Sequence, residues 1–117
     1  MNKRAVGADK EALAVKYLQK NGLVILEKNY RNRFGEIDII ARQNNIIVFV
    51  EVKYRKTASL GHPEEAVNYK KAKTICKIAN YYIVCNRIPA HIQCRFDVVA
   101  IEGCDIRWHQ NAFPYIP

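Results

Sequence analysis

Three charged residues between Arg31 and Arg55 have a spacing suited to chemistry on a phosphate group. Glu51 and Lys53 are two residues apart in an apolar segment, so in a β-strand both side chains point to the same face. Asp38 lies in the apolar segment before it, and antiparallel pairing would bring its Cβ within about 5 Å of that of Glu51. Two carboxylates this close repel each other unless a cation such as Mg²⁺ lies between them. The pattern predicts a metal held by Asp38 and Glu51, with Lys53 orienting a water or stabilising charge on a phosphate.

The expected hairpin has Asn44 and Asn45 as its two-residue loop, because asparagine tolerates the left-handed backbone that such loops need. This loop places Asp38 opposite Glu51, and it places Glu36 opposite Lys53, where Glu36 would hold the lysine. A slip of one residue would instead bury the charge of Asp38. The register also predicts one continuous apolar face behind the charges, formed by the pairs Ile37–Val52, Ile39–Val50 and Ala41–Val48.

An ordinary solvated strand face with cross-strand ion pairs is the alternative explanation for these charges. The neighbouring residues of both segments are nearly all apolar, however, and charges on buried strands must be paired or bound to a ligand. The flanking sequence therefore favours a functional site.

The segments GEID and EVK, residues 35–38 and 51–53, resemble the motif of the PD-(D/E)xK nuclease superfamily. The chain more closely resembles the small bacterial YraN-type family, which is related to archaeal Holliday-junction resolvases. That resemblance extends over most of the chain, in five ordered segments: Glu11–Leu18, Asn29–Arg31, Val48–Arg55, Gly61–Val67 and Arg95–Ile101.

The resemblance implies an endonuclease that uses Mg²⁺ or Mn²⁺ to hydrolyse DNA, with branched DNA as one candidate substrate. Asp38, Glu51 and the backbone carbonyl of Val52 would bind the metal, and Lys53 would act on the attacking water or on the phosphate. Glu11 would be an accessory carboxylate. The helix pattern alone instead favours an edge position in contact with water, and the resemblance reverses that preference. The resemblance also admits a homodimer, as in resolvases that cut symmetrically. The rival function is a nucleic-acid-binding module that keeps the fold but does not cut.

Net charge favours a polyanionic partner. The 117 residues carry a net charge of +8, which suits nucleic acid first and an anionic membrane surface second, although it also serves solubility. No apolar stretch is long enough to span a membrane and the N-terminus is polar, so we expect a cytoplasmic protein. The basic residues near the predicted site are expected to contact phosphates or merely to solvate the surface: Arg31, Arg33, Lys70, Lys71 and Lys73.

The predicted fold is a single α/β domain of restriction-endonuclease-like architecture, with a mixed sheet flanked by helices in the order α-β-β-β-α-β-β. Helices are expected at residues 3–20 and 63–82, with a loop at residues 57–63 that forms a flap. Four cysteines lack a zinc spacing and are expected to be buried free thiols. The strands are predicted at residues 23–29, 36–42, 46–55, 91–102 and 105–109. The predicted core is Leu13, Leu18, Val24, Leu26, Ile37, Ile39, Val48, Val50, Val52, Ile75, Ile78, Phe96 and Val98.

Overall fold

The computed structural model describes residues 3–56 and 67–117, with side chains from residue 9 onward. It has the predicted architecture, a mixed five-stranded sheet with two helices in the order α-β-β-β-α-β-β. The elements are α1 Lys3–Lys20, β1 Val24–Asn32, β2 Gly35–Gln43, β3 Ile46–Arg55, α2 Tyr69–Cys85, β4 Cys94–Glu102 and β5 Asp105–His109.

The sheet follows chain order, β1-β2-β3-β4-β5, and only the β3–β4 pair is parallel. A parallel pair needs a crossover, and α2 lies in that connection. Strands β3 and β4 lie inside the sheet and are buried on both faces, which explains their nearly continuous apolar sequence. β4 begins at Cys94 rather than at the predicted His91.

Each helix covers one face of the sheet. Ala14 and Leu18 of α1 pack on Ile39, Val48 and Val50. On the opposite face, α2 packs on a second cluster of sheet residues that includes Ile37, Ile40, Phe49 and Phe96; its own buried residues are Ala72, Ile75, Cys76, Ile78, Ala79 and Tyr82.

Three predicted core residues are exposed, namely Leu13, Val24 and Leu26. β1 is an edge strand with an irregular register between Ile25 and Glu27, so its first residues do not face a covering layer. Leu13 precedes Ala14 on α1 and turns away from the sheet. Val52 is half-buried, and the other predicted core residues are buried.

The β2–β3 hairpin has the predicted register from Gln43–Ile46 to Ile39–Val50, and Asn44 has a positive φ of 54°. The pairing of β2 with β3 ends at Ile39–Val50. The predicted continuous apolar face is wrong, because Ile37 packs on the α2 side whereas Ile39 packs on the α1 side. This change of side between Ile37 and Ile39 coincides with an irregularity in β1. Asn29 has φ 53° there, and the β1–β2 register has no Asn29–Asp38 pair.

Helix α1 ends as predicted: Gly22 has φ 92°, and the amide of Leu23 donates to the carbonyl of Leu18 at 3.1 Å. Helix α2 does not begin at Pro63, because residues 67–68 are not helical. Its N-cap is Asn68, whose side chain accepts from the amide of Lys71 at 2.9 Å. Pro63, His62 and the predicted flap at residues 57–63 lie outside the described residues.

A buried aspartate that sequence patterns missed stabilises the β4–β5 side of the sheet. Asp97 is fully buried and accepts two hydrogen bonds from Arg95, at 2.8 and 2.9 Å. Trp108 Nε1 and the amide of Asn111 each donate to it at 2.9 Å. Every partner is a donor, so this carboxylate is satisfied as an anion and has a structural role.

The prediction of buried cysteines holds only for Cys76. Cys85, Cys94 and Cys104 are free but exposed, because they lie at the end of α2, the start of β4 and the β4–β5 turn. Neither of the helices in the described part of the chain is long and apolar enough to cross a membrane.

Candidate metal centre

Asp38 lies where β2 and β3 separate. Beyond the Ile39–Val50 pair, its Oδ2 accepts a hydrogen bond from the backbone amide of Val52 at 2.8 Å. The carboxylate thus replaces a strand partner for that amide. This contact holds Asp38 against the segment of β3 that carries Glu51, Val52 and Lys53.

Glu51 is the second buried carboxyl of the described chain, with only 5% of its surface exposed. Its Oε2 atom receives no hydrogen bond from any described residue. The nearest cationic atoms to Oε2 are Lys71 Nζ at 3.4 Å and Lys53 Nζ at 3.9 Å. A buried oxygen without a hydrogen-bond donor is costly, so this atom is a candidate to bind a ligand.

The two carboxyls perturb each other's protonation. Burial is the main cause that raises the pKa of Glu51 to about 8, and the hydrogen bond and charge of Asp38 add to it. Lys53 and Lys71 oppose this rise without cancelling it. Burial also raises the pKa of Asp38, while its hydrogen bonds with Glu51 and the Val52 amide act in the opposite direction. Without a further cation, the pair therefore retains a proton near neutral pH.

Two more carboxylates complete the cluster. Oxygen atoms of Glu11, Glu36 and Asp38 all lie within 4.8 Å of one another. Glu11 is on the stripe of α1 that also carries Ala14 and Leu18, and these two buried residues fix the helix against the sheet. The helix therefore delivers Glu11 to Asp38, as the resemblance implied.

Glu36 and Asn29 were not predicted at this position. Glu36 was expected opposite Lys53, but the ladder ends before that point and Glu36 pairs with Arg31 across β1 and β2. The guanidinium of Arg31 donates to Glu36 at 2.9 Å. Glu36 is two residues from Asp38, and that spacing was a usable signal for a shared face.

Asn29 connects two of these carboxylates. With its amide nitrogen turned toward them, it donates to Glu36 Oε1 at 3.0 Å and to Glu11 Oε2 at 2.9 Å. The left-handed backbone of Asn29 puts it beside Asp38, and this conformation is not readable from sequence.

The basic residues expected at the site divide into two groups. Lys53 and Lys71 lie against Glu51, and Arg31 lies against Glu36. The guanidinium of Arg33 instead lies over the ring of Phe34, with its Cζ atom 4.9 Å from the ring centroid. The remaining two, Lys70 and Lys73, lie on another side of α2 from Lys71, since each residue turns the helix by about 100°.

The donor set suits Mg²⁺ or Mn²⁺. Glu11, Glu36, Asp38 and Glu51 offer only oxygen ligands, which these ions prefer. The Oε2 of Glu51 has two lysine ammoniums nearby but no hydrogen-bond donor among the described residues, and burial together with Asp38 opposes its ionisation, so a cation at this position would be stabilising. Val52 adjoins the carboxyls, because its amide donates to Asp38, and its carbonyl stays a predicted third ligand.

Comparison with known sequences covers the whole of this centre. A family model described as "Uncharacterised protein family UPF0102" matches residues 10–101. A UPF0102 protein of Lachnoclostridium phytofermentans is 50% identical over 97% of this chain and 96% of its own length. Another from Alkaliphilus oremlandii is 52% identical over 95% of each chain, and one from Persephonella marina is 44% identical over 92% of this chain and 91% of its own. The chain therefore belongs to the UPF0102 family, the YraN-type family that its ordered motifs indicate.

Proposed function

We propose that this protein is a metal-dependent endonuclease that hydrolyses phosphodiester bonds of DNA, with branched DNA as a candidate substrate. The observation that carries the proposal is the buried carboxyl of Glu51, which is coupled to Asp38, has an oxygen without a hydrogen-bond donor and lies between two lysines. The restriction-endonuclease likeness of the fold belongs to the same proposal.

Asp38, Glu51 and the carbonyl of Val52 would hold the metal, and Glu11 would support it through Asp38. A bound Mg²⁺ or Mn²⁺ would neutralise charge on the phosphate. It would also lower the pKa of a water, so that a hydroxide nucleophile is available at neutral pH. A cation at the carboxyl pair would also favour the ionised form of Glu51 and so oppose the effect of burial on its pKa.

Lys53 is suited to act on the reacting groups. Its ammonium is only 3.9 Å from Glu51, and its side chain is 23% exposed, so it can reach both the carboxyl and an arriving phosphate. Its role would be to orient the attacking water or stabilise charge that develops in the transition state. Lys71 is closer to Glu51, at 3.4 Å, and would position that carboxylate from α2.

Positive charge outside the centre supports binding to DNA. Within the described chain, Arg33, Lys70 and Lys73 have no ion pair with the carboxylate cluster and remain predicted phosphate contacts. Arg31 is paired with Glu36, so it would have to leave that carboxylate or bind a phosphate beside it. The homodimer and the cytoplasmic location also remain predictions.

The deciding experiment compares cleavage with binding. Single-turnover cleavage is measured with Mg²⁺ and with Mn²⁺ on linear, single-stranded, flapped and four-way DNA, and affinity is measured with Ca²⁺. Lys53→Met should slow cleavage by about a hundredfold or more, because an interaction made only in the transition state is lost. Affinity should change by less than about threefold, as for one screened surface contact.

Lys20→Met is the matched control, since Lys20 is an exposed lysine in the last turn of α1. If the wild type binds DNA but cleaves no substrate with either metal, the binding-module function replaces the endonuclease. Cleavage by Lys53→Met at the wild-type rate would refute the role of its lysine.

A further inference from the structure

A stripe of five residues runs along one side of α2, away from its buried face. Successive members are three or four residues apart, which keeps them on one line of the helix surface. Its first half is basic and its second half is apolar, with Tyr81 41% exposed and Val84 75% exposed. In order, the stripe is Lys70, Lys73, Lys77, Tyr81 and Val84.

The apolar half of the stripe meets the β1–β2 hairpin. Phe34, at the tip of that hairpin, is 39% exposed, and its ring centroid is 6.3 Å from that of Tyr81 with the planes at 69°. Together with Lys77, Asn80 and Val84, the two rings line an open groove of about 370 Å³. Neither ring belongs to either core cluster, so packing of the fold does not account for them.

Cations surround these rings. Lys77 lines the groove itself, and the guanidinium of Arg33 lies 4.9 Å from the centroid of Phe34. Exposed aromatic rings bordered by cations are the combination by which proteins bind unpaired nucleotides, because every base offers a π-face and every phosphate a negative charge. An apolar protein partner would make no use of the adjoining lysines.

We infer that this groove, formed by Phe34, Lys77, Asn80, Tyr81 and Val84, binds an unpaired base of a DNA strand whose phosphates follow Lys77, Lys73 and Lys70 toward the metal centre. The inference deepens the proposed function, because it assigns a single-stranded segment to the substrate. Lys71 marks the metal-centre end of α2 and lies about 15 Å from Tyr81 along the helix axis. At the rise of duplex DNA, about 3.4 Å per nucleotide, that length corresponds to about four nucleotides, and an extended single strand spans it with fewer. Substrates with unpaired nucleotides at this distance from the cleaved bond are therefore favoured over blunt duplex.

The test uses a single-stranded oligonucleotide of about eight nucleotides that contains 2-aminopurine, in buffer with Ca²⁺. Binding to the wild type should quench the 2-aminopurine fluorescence, because stacking on an aromatic ring quenches this base. Tyr81→Ala and Phe34→Ala should each weaken binding about fivefold or more and reduce the quenching, and Tyr81→Phe should retain both. Thermal unfolding of each variant checks that the fold is kept.

Tyr69→Ala is the matched control, because Tyr69 is a 67% exposed tyrosine of the same helix that lies off the stripe. Its affinity should change by less than about twofold. Wild-type affinity and quenching in both alanine variants would refute the inference. The inference would also be refuted if the groove instead joins two copies of the chain. Sedimentation would then show a dimer in the wild type that is lost in Tyr81→Ala, while this variant still quenches the fluorescence.

The outcome is separable from that of the proposed function. If the wild type cleaves DNA and the groove variants bind and quench normally, only the groove assignment fails. If no substrate is cleaved but the groove variants lose quenching, the base site stands and the endonuclease fails.

Discussion

Replacing Glu51 by glutamine should stabilise the metal-free protein at neutral and mildly alkaline pH. Glutamine is close in shape to the protonated glutamic acid and carries no charge to bury. The folded wild type holds a proton on Glu51 up to a pKa of about 8, whereas the ordinary value is 4.5. Between these values the unfolded chain has already lost that proton, so the stability of the wild type falls as pH rises from about 4.5 toward 8.

The size of this loss of stability follows from the difference between the two pKa values, 4.5 and about 8. Each pH unit costs about 1.4 kcal/mol of unfolding free energy, which sets an upper limit of about 5 kcal/mol by pH 8. Glu51 is only 5% exposed, so solvent screens little of it. A small opening that admits water would relieve part of the cost, and we therefore expect a loss of about 2 kcal/mol or more.

The assay is urea unfolding in EDTA at pH 5, 6, 7 and 8 for the wild type, Glu51→Gln and Glu27→Gln. Glu27 is an exposed residue of β1 and serves as the matched control for the same chemical change. The free energy of the wild type and of Glu27→Gln should fall relative to that of Glu51→Gln as pH rises. Because the proteins differ only at one glutamate each, the differences report the carboxyl pair of Glu51 and Asp38.

A bound metal should act against this order of stability. Mg²⁺ or Mn²⁺ at about a hundred times its Kd should stabilise the wild type by about 2.7 kcal/mol. Glu51→Gln and Asp38→Asn should gain much less, because each lacks one anionic ligand. A wild type that keeps or gains stability relative to Glu51→Gln between pH 5 and 8 in EDTA would refute the strained carboxyl pair. Equal stabilisation of all variants by metal would refute the metal site.

Three further outcomes test the framework and the DNA surface. Asp97→Asn should lower the unfolding free energy by about 3 kcal/mol, since it leaves Arg95 without its buried anionic partner, whereas the exposed Asp105→Asn should change it by less than about 0.5 kcal/mol. Gly35→Ala should cost about 1–3 kcal/mol and more than Gly22→Ala in the same urea assay, because both glycines have positive φ but only at Gly35 would the added methyl meet a side chain, Ile78 Cδ1 at 3.1 Å. The Lys70→Gln, Lys73→Gln double variant should reduce the slope of log affinity for DNA against log salt by about 1.5, and an unchanged slope would show that DNA lies elsewhere.

The sequence alone determined the order and type of the elements. Alternating apolar residues and the Asn44-Asn45 loop defined the β2–β3 hairpin and its register, and Gly22 marked the end of α1. These signals are local, because they depend on backbone preferences and on a strand period of two residues. The long apolar runs of β3 and β4 likewise predicted buried strands.

The sequence also identified much of the candidate centre. Glu11, Asp38, Glu51 and Lys53 come together in the structure, although they derive from α1, β2 and β3. Strand spacing predicted that Asp38 and Glu51 would meet, and the family resemblance supplied Glu11.

Only the tertiary structure decided the rest of the centre. Asp38 separates β2 from β3 by accepting the Val52 amide, so Glu36 joins Arg31 and the carboxylates instead of Lys53. The helix pattern of α2 did not show that Lys71, rather than Lys70, would face Glu51.

The tertiary structure also decided which side chains are buried. Which face of a helix or strand is covered depends on partners distant in sequence. Val24 looks like a core residue until the sheet order makes β1 an edge strand, and Leu13 does so until Ala14 and Leu18 dock α1 on the sheet. The pKa of Glu51 is the sharpest case, because a glutamate in an apolar strand has no perturbed pKa until the fold removes water from it and brings Asp38 beside it.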